Sequence, residues 1–453
     1  LKLADNLYLL SFYSEKLTKA MYEYYQNKPY IEQLYLDEVF INEQINDISQ
    51  TMYGDTPTDL RGYHFLGTTR LGLDNYQKII NDNGNPAEIT VSTIGYGINY
   101  ENDFFKNRLS DKSYNFVLNN KDISETIEQG SRIAEAIVDS TTPNVKIMPL
   151  VTVTEEGYST ISSILKALKY SIENSDVICY ELINSKHEAI DMLFESAFYE
   201  NKPICSVSSN IKDNYPANHG MTIAVSSLDR ENNICDYSAK GDYIDFALPS
   251  TDIEEIFKKN STVSRWSGAQ YSNAGIVSII SLVKTYNKDG TILDIYNFLR
   301  DYSIDLGEHG KDSQFGYGMP NFAGLKLSDI DKKPPEFTEI SFENETWEVL
   351  KQIKIVANDN IRINKWAITK NEGEPNQDEW NVLQSITPNL DITREITENG
   401  KYYIWVQDTA GNNTVKDIQI DKIDNKPPQI AYTINKDTLN EGYCRRFRIW
   451  IIW

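Results

Sequence analysis

The chain has 453 residues, 40% of them hydrophobic and 24% charged, which predicts more than one globular domain with ample material for a core. Its formal net charge of −22 is the opposite of what a phosphate-binding surface needs, which argues against nucleic acid as the main partner. No apolar run reaches the length of a membrane-spanning helix.

Residues 6–36 form a small pattern of their own. NLYLLSF reads as a strand, SEKLTKAMYEYYQN as an amphipathic helix and YIEQLYLDEVFI as a second strand. The polar stretch INDISQTMYGDTPTD then reads as a linker. The chain begins at Leu1 with no signal peptide, and reads as a fragment without its N-terminus.

From about 62 to 328, short apolar runs alternate with helical segments: EITVSTIG, SETIEQGSRIAEAIV, VKIMPLVTV, STISSILKALKYSIE, SDVICYELI, HEAIDMLFESAFY, PICSVSS, MTIAVSS and NAGIVSIISLVKTYN. This alternation predicts a mostly parallel sheet with helices on both faces. Ligands in such sheets bind beyond the C-terminal strand ends, so the loops after Ile94, Val153, Ile183 and Ser209 are the places to look. One of them, VSTIGYGI (91–98), puts Gly95 and Gly97 at a strand tip that carries no acid, base, nucleophile or metal ligand. Of four cysteines (Cys179, Cys205, Cys235, Cys444), none has CxxC or metal-ligand spacing, and the first three read as buried small hydrophobes.

DIDKKPPEF (329–337) marks a boundary, because paired prolines continue neither a helix nor a central strand. Beyond it the pattern is all β: TWEVLKQIKIVANDN, INKWAITK, REITENGKYYIWVQDTAGN and VKDIQIDKI. KIDNKPPQI then repeats the boundary motif. Pro334 to Pro427 is 93 residues, a sensible period for one β-sandwich module. The chain ends in CRRFRIWIIW, which fits no module and reads as a truncation or frameshift artefact.

The motifs of the α/β region resemble, in order, those of the subtilase (subtilisin-like serine peptidase) family. ITVSTIGYGINYENDF resembles the strand VxVAVIDTGIDYxHPDF, which delivers the catalytic aspartate. EQGSRIAEAIV is similar to the helix start GHGTHVAG, which delivers the histidine. SDVICYELI resembles the substrate-pairing strand DVINMSLGG, and PICSVSSN resembles VVAAAGN, which carries the oxyanion asparagine. YPANHGMTIAVSSLD resembles YPA…VIAVGAVD, and YSAKGDYIDFALPS resembles FSSxGxxVDVxAPG. SGAQYSNAGIVSIISLV is similar to the nucleophile helix SGTSMASPHVAGAAALI, and FGYGMPN to the closing GxGxxN. Each match is weak alone; the ordered set of eight carries the resemblance.

The family's chemistry needs a serine nucleophile, a histidine base and an aspartate that holds the histidine. Carried over residue by residue, the aspartate position falls on Gly95, the histidine position on Gln129 and the serine position on Ala269. Aligning Ala274-Gly275 with the family's later Ala-Gly puts Ser267 in the nucleophile place instead. Either way, a serine without a neighbouring base is a weak nucleophile. The four histidines (His64, His187, His219, His309) all lie outside a GHGT-like helix start. Asn210 matches the oxyanion asparagine, its alternative reading being a loop cap. Glu181, Leu182 and Ile183 replace the Ser-Leu-Gly along which a bound peptide adds as a strand, and would obstruct or recode that pairing.

The resemblance implies an α/β subtilisin-like domain over 62–328, preceded by a partial α+β prodomain-like segment (1–45) and a linker (46–61). PYIEQLYLDEVFINEQ carries the prodomain match, and the segment is expected to pack on its own subtilisin-like domain. The tail resembles bacterial Ig-like modules through DxxxPP, NGKYYIWVQDTAGN and the repeated proline motif. It implies one all-β sandwich (333–425), the start of a second, truncated one (426–453), and an extracellular or cell-surface bacterial setting. Clostridial germination proteases, which include members with degenerate triads, are similar. The expected function is therefore a catalytically inactive homologue, a pseudoprotease acting in binding or regulation on a protein or peptide partner. The alternatives are an active serine endopeptidase with an unusual triad, and an extracellular adhesion or structural protein. No cofactor and no metal site is expected; structural calcium stays open, since no acidic loop matches clearly.

Overall fold

Seven strands form one sheet: β1 (Ile89–Gly95), β2 (Tyr114–Asn115), β3 (Val145–Val151), β4 (Val177–Tyr180), β5 (Ile204–Ser206), β6 (Thr222–Leu228) and β7 (Phe246–Pro249). Their order is β7-β6-β5-β4-β1-β3-β2, and every neighbouring pair is parallel. The computed structural model describes residues 1–4, 7–11, 15–26, 28–29, 31–41, 51–52, 68–83, 86–125, 127–210, 214–254, 264–427, 429–432 and 449–452. The chain divides into two units, Leu1–Lys326 and Leu327–Trp453.

The sheet belongs to the first unit, as the alternation of apolar runs and helices predicts. β1, β3 and β6 are buried at nearly every position, as strands covered on both faces must be. Four helices do the covering: α1 (Gln129–Asp139), α2 (Ile161–Asn174), α3 (Glu188–Tyr199) and α4 (Ala269–Tyr286). Ile178 and Tyr180 of β4 point into the cluster built by Ile164 and Leu168 of α2 and Leu193 and Phe194 of α3. Cys179, between them, must point the other way, and there Asn273 of α4 donates to its Sγ at 3.5 Å. α2 and α3 thus cover one face, and α4, which packs against α1, covers the other. α4 is buried along almost its whole length, from Ala269 to Thr285. The thiols of Cys179, Cys205 and Cys235 are all buried and unpaired.

The connectivity singles out one strand. From β1 the chain first steps to β2 and β3 on one side, then crosses back to β4 and runs outward to β7. The C-terminal end of β1 is the point where the winding reverses, the place in such sheets where a crevice opens. That end is Gly95.

The N-terminal segment departs from expectation. The predicted helix is present as Glu15–Gln26, but among the described residues of the strand predicted over 30–41 only Val39–Ile41 joins a ladder, antiparallel to Tyr158–Thr160. Its earlier residues bond sideways instead. Tyr35 Oη donates to Glu188 at 2.6 Å, and the Asp37 carboxylate accepts from Ser162 N–H and Oγ at 2.8 and 2.6 Å. Within the expected linker, Thr51–Met52 pairs with Ser264–Arg265; its remaining residues, like His64 and Cys444, lie outside the described residues. Among the described residues, no helix is long and apolar enough to cross a membrane.

The second unit is antiparallel and sandwich-like. Its strands are β8 (Glu336–Ser341), β9 (Lys351–Thr369), β10 (Asn381–Ile396), β11 (Gly400–Asp408) and β12 (Asn413–Ile420). β9 is 19 residues long, and its two halves serve different partners. Lys354–Asn358 pairs with β8, whereas Ile363–Thr369 pairs with β11, and a register shift separates the halves. Alternating inward residues such as Ile353, Ile355, Ala357 and Ile363 meet Ile404, Val406 and Ile420 in one core.

Candidate functional site

The turn after β1 and the start of α1 touch through backbone. Gly130 is the second residue of α1, and a Cβ placed there would lie 2.1 Å from the Gly97 carbonyl oxygen and 2.9 Å from Tyr96 Cβ. Only glycine admits such an approach. Just beyond, Ser131 Oγ accepts from Asn99 N–H at 2.8 Å and donates to Glu125. The glycine-rich tip of β1 and the helix start carrying Gln129 are therefore one assembly. Gln129 itself is buried.

Gly95 has φ +154°, a conformation that residues with a Cβ rarely adopt. A Cβ there would meet Glu181 Cβ at 3.2 Å, Leu182 Cδ2 at 3.5 Å and Glu181 Oε2 at 3.7 Å. Glu181 follows the last residue of β4 and is 3% exposed. Its carboxyl faces the space beside Gly95 rather than solvent. Burial pushes it well above the usual carboxylate range, and Oε2 has no hydrogen-bond partner. Burial, with Glu181 adding to it, also raises Tyr96. Leu182 is fully buried, and Ile183 packs partly buried beside Ala269.

Ala269 opens α4 and is enclosed by Val207, Ile183 and Tyr237. This contact brings the helix start together with the end of β4 and the loop after β5. In that loop Asn210 is exposed, donating its amide to the Asp236 carbonyl at 2.7 Å and its N–H to the Tyr237 carbonyl at 3.0 Å. Ser267 lies before the helix, and its Oγ accepts from Asp252 N–H at 3.1 Å. Arg132 of α1 stacks over the Trp266 ring, its Cζ 3.5 Å from the centroid, which ties the two helix starts.

One residue at this place escaped the sequence reading. Gln270 is 2% exposed, and neither its Nε2 nor its Oε1 has a hydrogen-bond partner. Counting without a gap from the Ser-Gly pair of SGTSMAS lands on Gln270, the fourth residue of SGAQYSN, and that count was the available signal.

The described histidines are engaged elsewhere. His187 caps α3, its Nδ1 accepting from Ala189 N–H at 3.2 Å, and its ring packs 4.6 Å from that of Tyr35. His219 Nε2 lies 3.4 Å from Asp191, and exposed His309 pairs with Asp305 at 3.0 Å. Burial lowers both His187 and His219, favouring neutral rings. Among the described residues, no three metal-ligating side chains of the first unit gather closely enough to hold an ion.

Among known proteins, the fold has a solved counterpart and part of the sequence has a relative. The solved crystal structure of a lanthipeptide protease superposes with a TM-score of 0.51 at 18% identity, covering 59% of this chain and 95% of that one. The first unit has a subtilisin-like fold. At the level of sequence, the minor extracellular protease Epr of Bacillus subtilis (strain 168) is 26% identical over 192 residues. That match covers 40% of this chain and 29% of Epr, so the chain corresponds to under a third of that protein's length. No protein-family model matches the chain. In the subtilisin-like unit the strand tip and the two helix starts carry Gly95, Gln129 and the run Ser267-Gly268-Ala269-Gln270. A carboxamide neither accepts a proton at neutral pH nor attacks a carbonyl. Of these residues only Ser267 carries a hydroxyl, and none carries an acid or a base.

Proposed function

We propose that the first unit is a subtilase that has lost cleavage: a pseudoprotease whose cleft engages a protein or peptide chain. The observation that carries this is the set of residues at three converging ends. Gly95 replaces the acid, Gln129 the base, and the nucleophile helix opens on Ala269 and Gln270. Ser267, in the alternative register, has as its hydrogen-bond partner a backbone N–H rather than a base. Asn210 acts as a loop tether, since its amide is committed to Asp236. Glu181 fills the space that an aspartate at 95 would need, so more than one substitution separates this site from a working one.

The N-terminal segment acts as a retained prodomain. The ladder from Val39–Ile41 to Tyr158–Thr160 and the Asp37 contacts with Ser162 support this role. Without a triad, the chain cannot cut the junction itself. An extracellular or cell-surface setting accords with the description of Epr as an extracellular protease and with the Ig-like motif of the second unit.

The test is incubation of the full chain with a fluorophosphonate probe, followed by peptide mapping. No labelled serine is expected, and residues 1–41 should stay joined to the rest of the purified chain. Stoichiometric labelling of Ser267, or of any other serine, would establish an active endopeptidase instead.

A further inference from the structure

Three aspartates far apart in the sequence meet inside the second unit. Asp331 precedes the paired prolines, Asp359 sits at the register shift of β9, and Asp408 ends β11. One carboxylate oxygen of each lies within 4.8 Å of one from each of the others. Asp331 and Asp408 are each 1% exposed, and Asp359 is half-buried.

The hydrogen bonds hold one side of this group and leave the other open. Asn360 Nδ2 and Lys333 N–H both donate to Asp331 Oδ1 at 3.2 Å, and Ile361 N–H donates to Asp359 Oδ2 at 2.7 Å. Asn412 donates from N–H and Nδ2 to the two oxygens of Asp408, each at 2.8 Å, and from Nδ2 to the Asp331 carbonyl at 3.1 Å. What remains is Asp331 Oδ2 and Asp359 Oδ1, both buried and both without a partner. A nearly inaccessible carboxylate oxygen with nothing to accept from is costly to leave so. Burial and the neighbouring acid Asp408 raise the Asp331 carboxyl, and burial with both neighbours pushes Asp359 up to about 6. Side chains that repel one another are nonetheless held in place by five donors from Lys333, Asn360, Ile361 and Asn412.

A cation between the free oxygens resolves that conflict. The donors are all oxygens, which favours a hard divalent ion over zinc. Carboxylates gathered from a strand irregularity, a strand end and a loop suit the variable geometry of calcium better than the strict octahedron of magnesium. We propose that Asp331, Asp359 and Asp408 form a calcium site that fastens the segment before the paired prolines to β9 and β11. Its ligands are 28 and 49 residues apart, so no contiguous acidic loop announces it.

The test uses the full chain, stripped with EDTA and titrated with CaCl2 by calorimetry, for wild type, D331N and D359N. Hydrogen exchange is followed in parallel for peptides covering 355–365 and 404–412. Wild type should bind one calcium equivalent more than D331N, or bind it roughly tenfold or more tightly. Calcium should slow exchange in both wild-type peptides and in neither variant. In EDTA the two variants should exchange no faster than wild type, because each relieves repulsion, which also shows that they fold. Equal stoichiometry and affinity in wild type and both variants would overturn the proposal. So would unchanged exchange up to about 10 mM calcium, above the range of weak modules. Protection by MgCl2 at lower concentration than by CaCl2 would overturn the choice of ion.

Discussion

Replacing Gly95 with alanine probes how firmly the strand tip is committed to glycine. The backbone there has φ +154°, a region nearly closed to other residues, which costs about 1–3 kcal/mol once a Cβ is present. The new atom would also sit 3.2 Å from Glu181 Cβ, closer than ordinary packing, and easing that contact adds on the order of 1 kcal/mol. G95A should therefore destabilise the first unit by about 2–4 kcal/mol. G95D should do worse, because a second carboxyl would enter a buried space beside Glu181 Oε2, and two such groups cannot both ionise there. The assay is hydrogen exchange of the β1 and α1 peptides against urea, which reads the first unit separately from the second. If G95A lies within about 0.5 kcal/mol of wild type, the glycine is not required and the position admits a side chain.

Glu181 gives a pH signature. Its carboxyl is raised by burial, so it favours the fold while protonated; that contribution is complete below the unfolded value of about 4.3 and falls as pH climbs toward the folded value. E181Q should remove a decline of about 1.4 kcal/mol per pH unit above that point, and parallel stability profiles for variant and wild type would show that the carboxyl is not held neutral. G130A should be severe, on the order of 3 kcal/mol or more, because its Cβ would meet the Gly97 carbonyl at 2.1 Å. G324A, where a Cβ meets nothing within 4 Å, should stay within about 0.5 kcal/mol; equal melting shifts for the two would refute the backbone contact.

The sequence displayed the sheet because its strands are buried on both faces and separated by helices of ordinary length. EITVSTIG and VKIMPLVTV stand out for that reason, and the predicted helix starting near Gln129 starts there. The segment 30–41 misled because most of it meets the domain through single side-chain contacts such as the Tyr35 hydroxyl on Glu188, with Tyr35, Leu36 and Val39 exposed, and not through a ladder. Gln270 was hidden by the freedom to slide a degenerate motif by a residue; its burial without partners is a property of the fold alone. Glu181 was legible as a residue and not as a direction. One alternation step past Tyr180 turns it inward under Gly95, and only the end of β4 fixes where that alternation stops. The three aspartates were invisible because strand pairing, not spacing, assembles them.

The long strand β9 also has a mechanical meaning. Its first half is zipped to β8 and its second half to β11, with β10 alongside both, so one piece of backbone passes through the whole second unit. Neither half can peel away while the other stays intact without breaking that strand's continuity of pairing. Disrupting either half of the strand therefore disturbs pairing that the other half shares through β10.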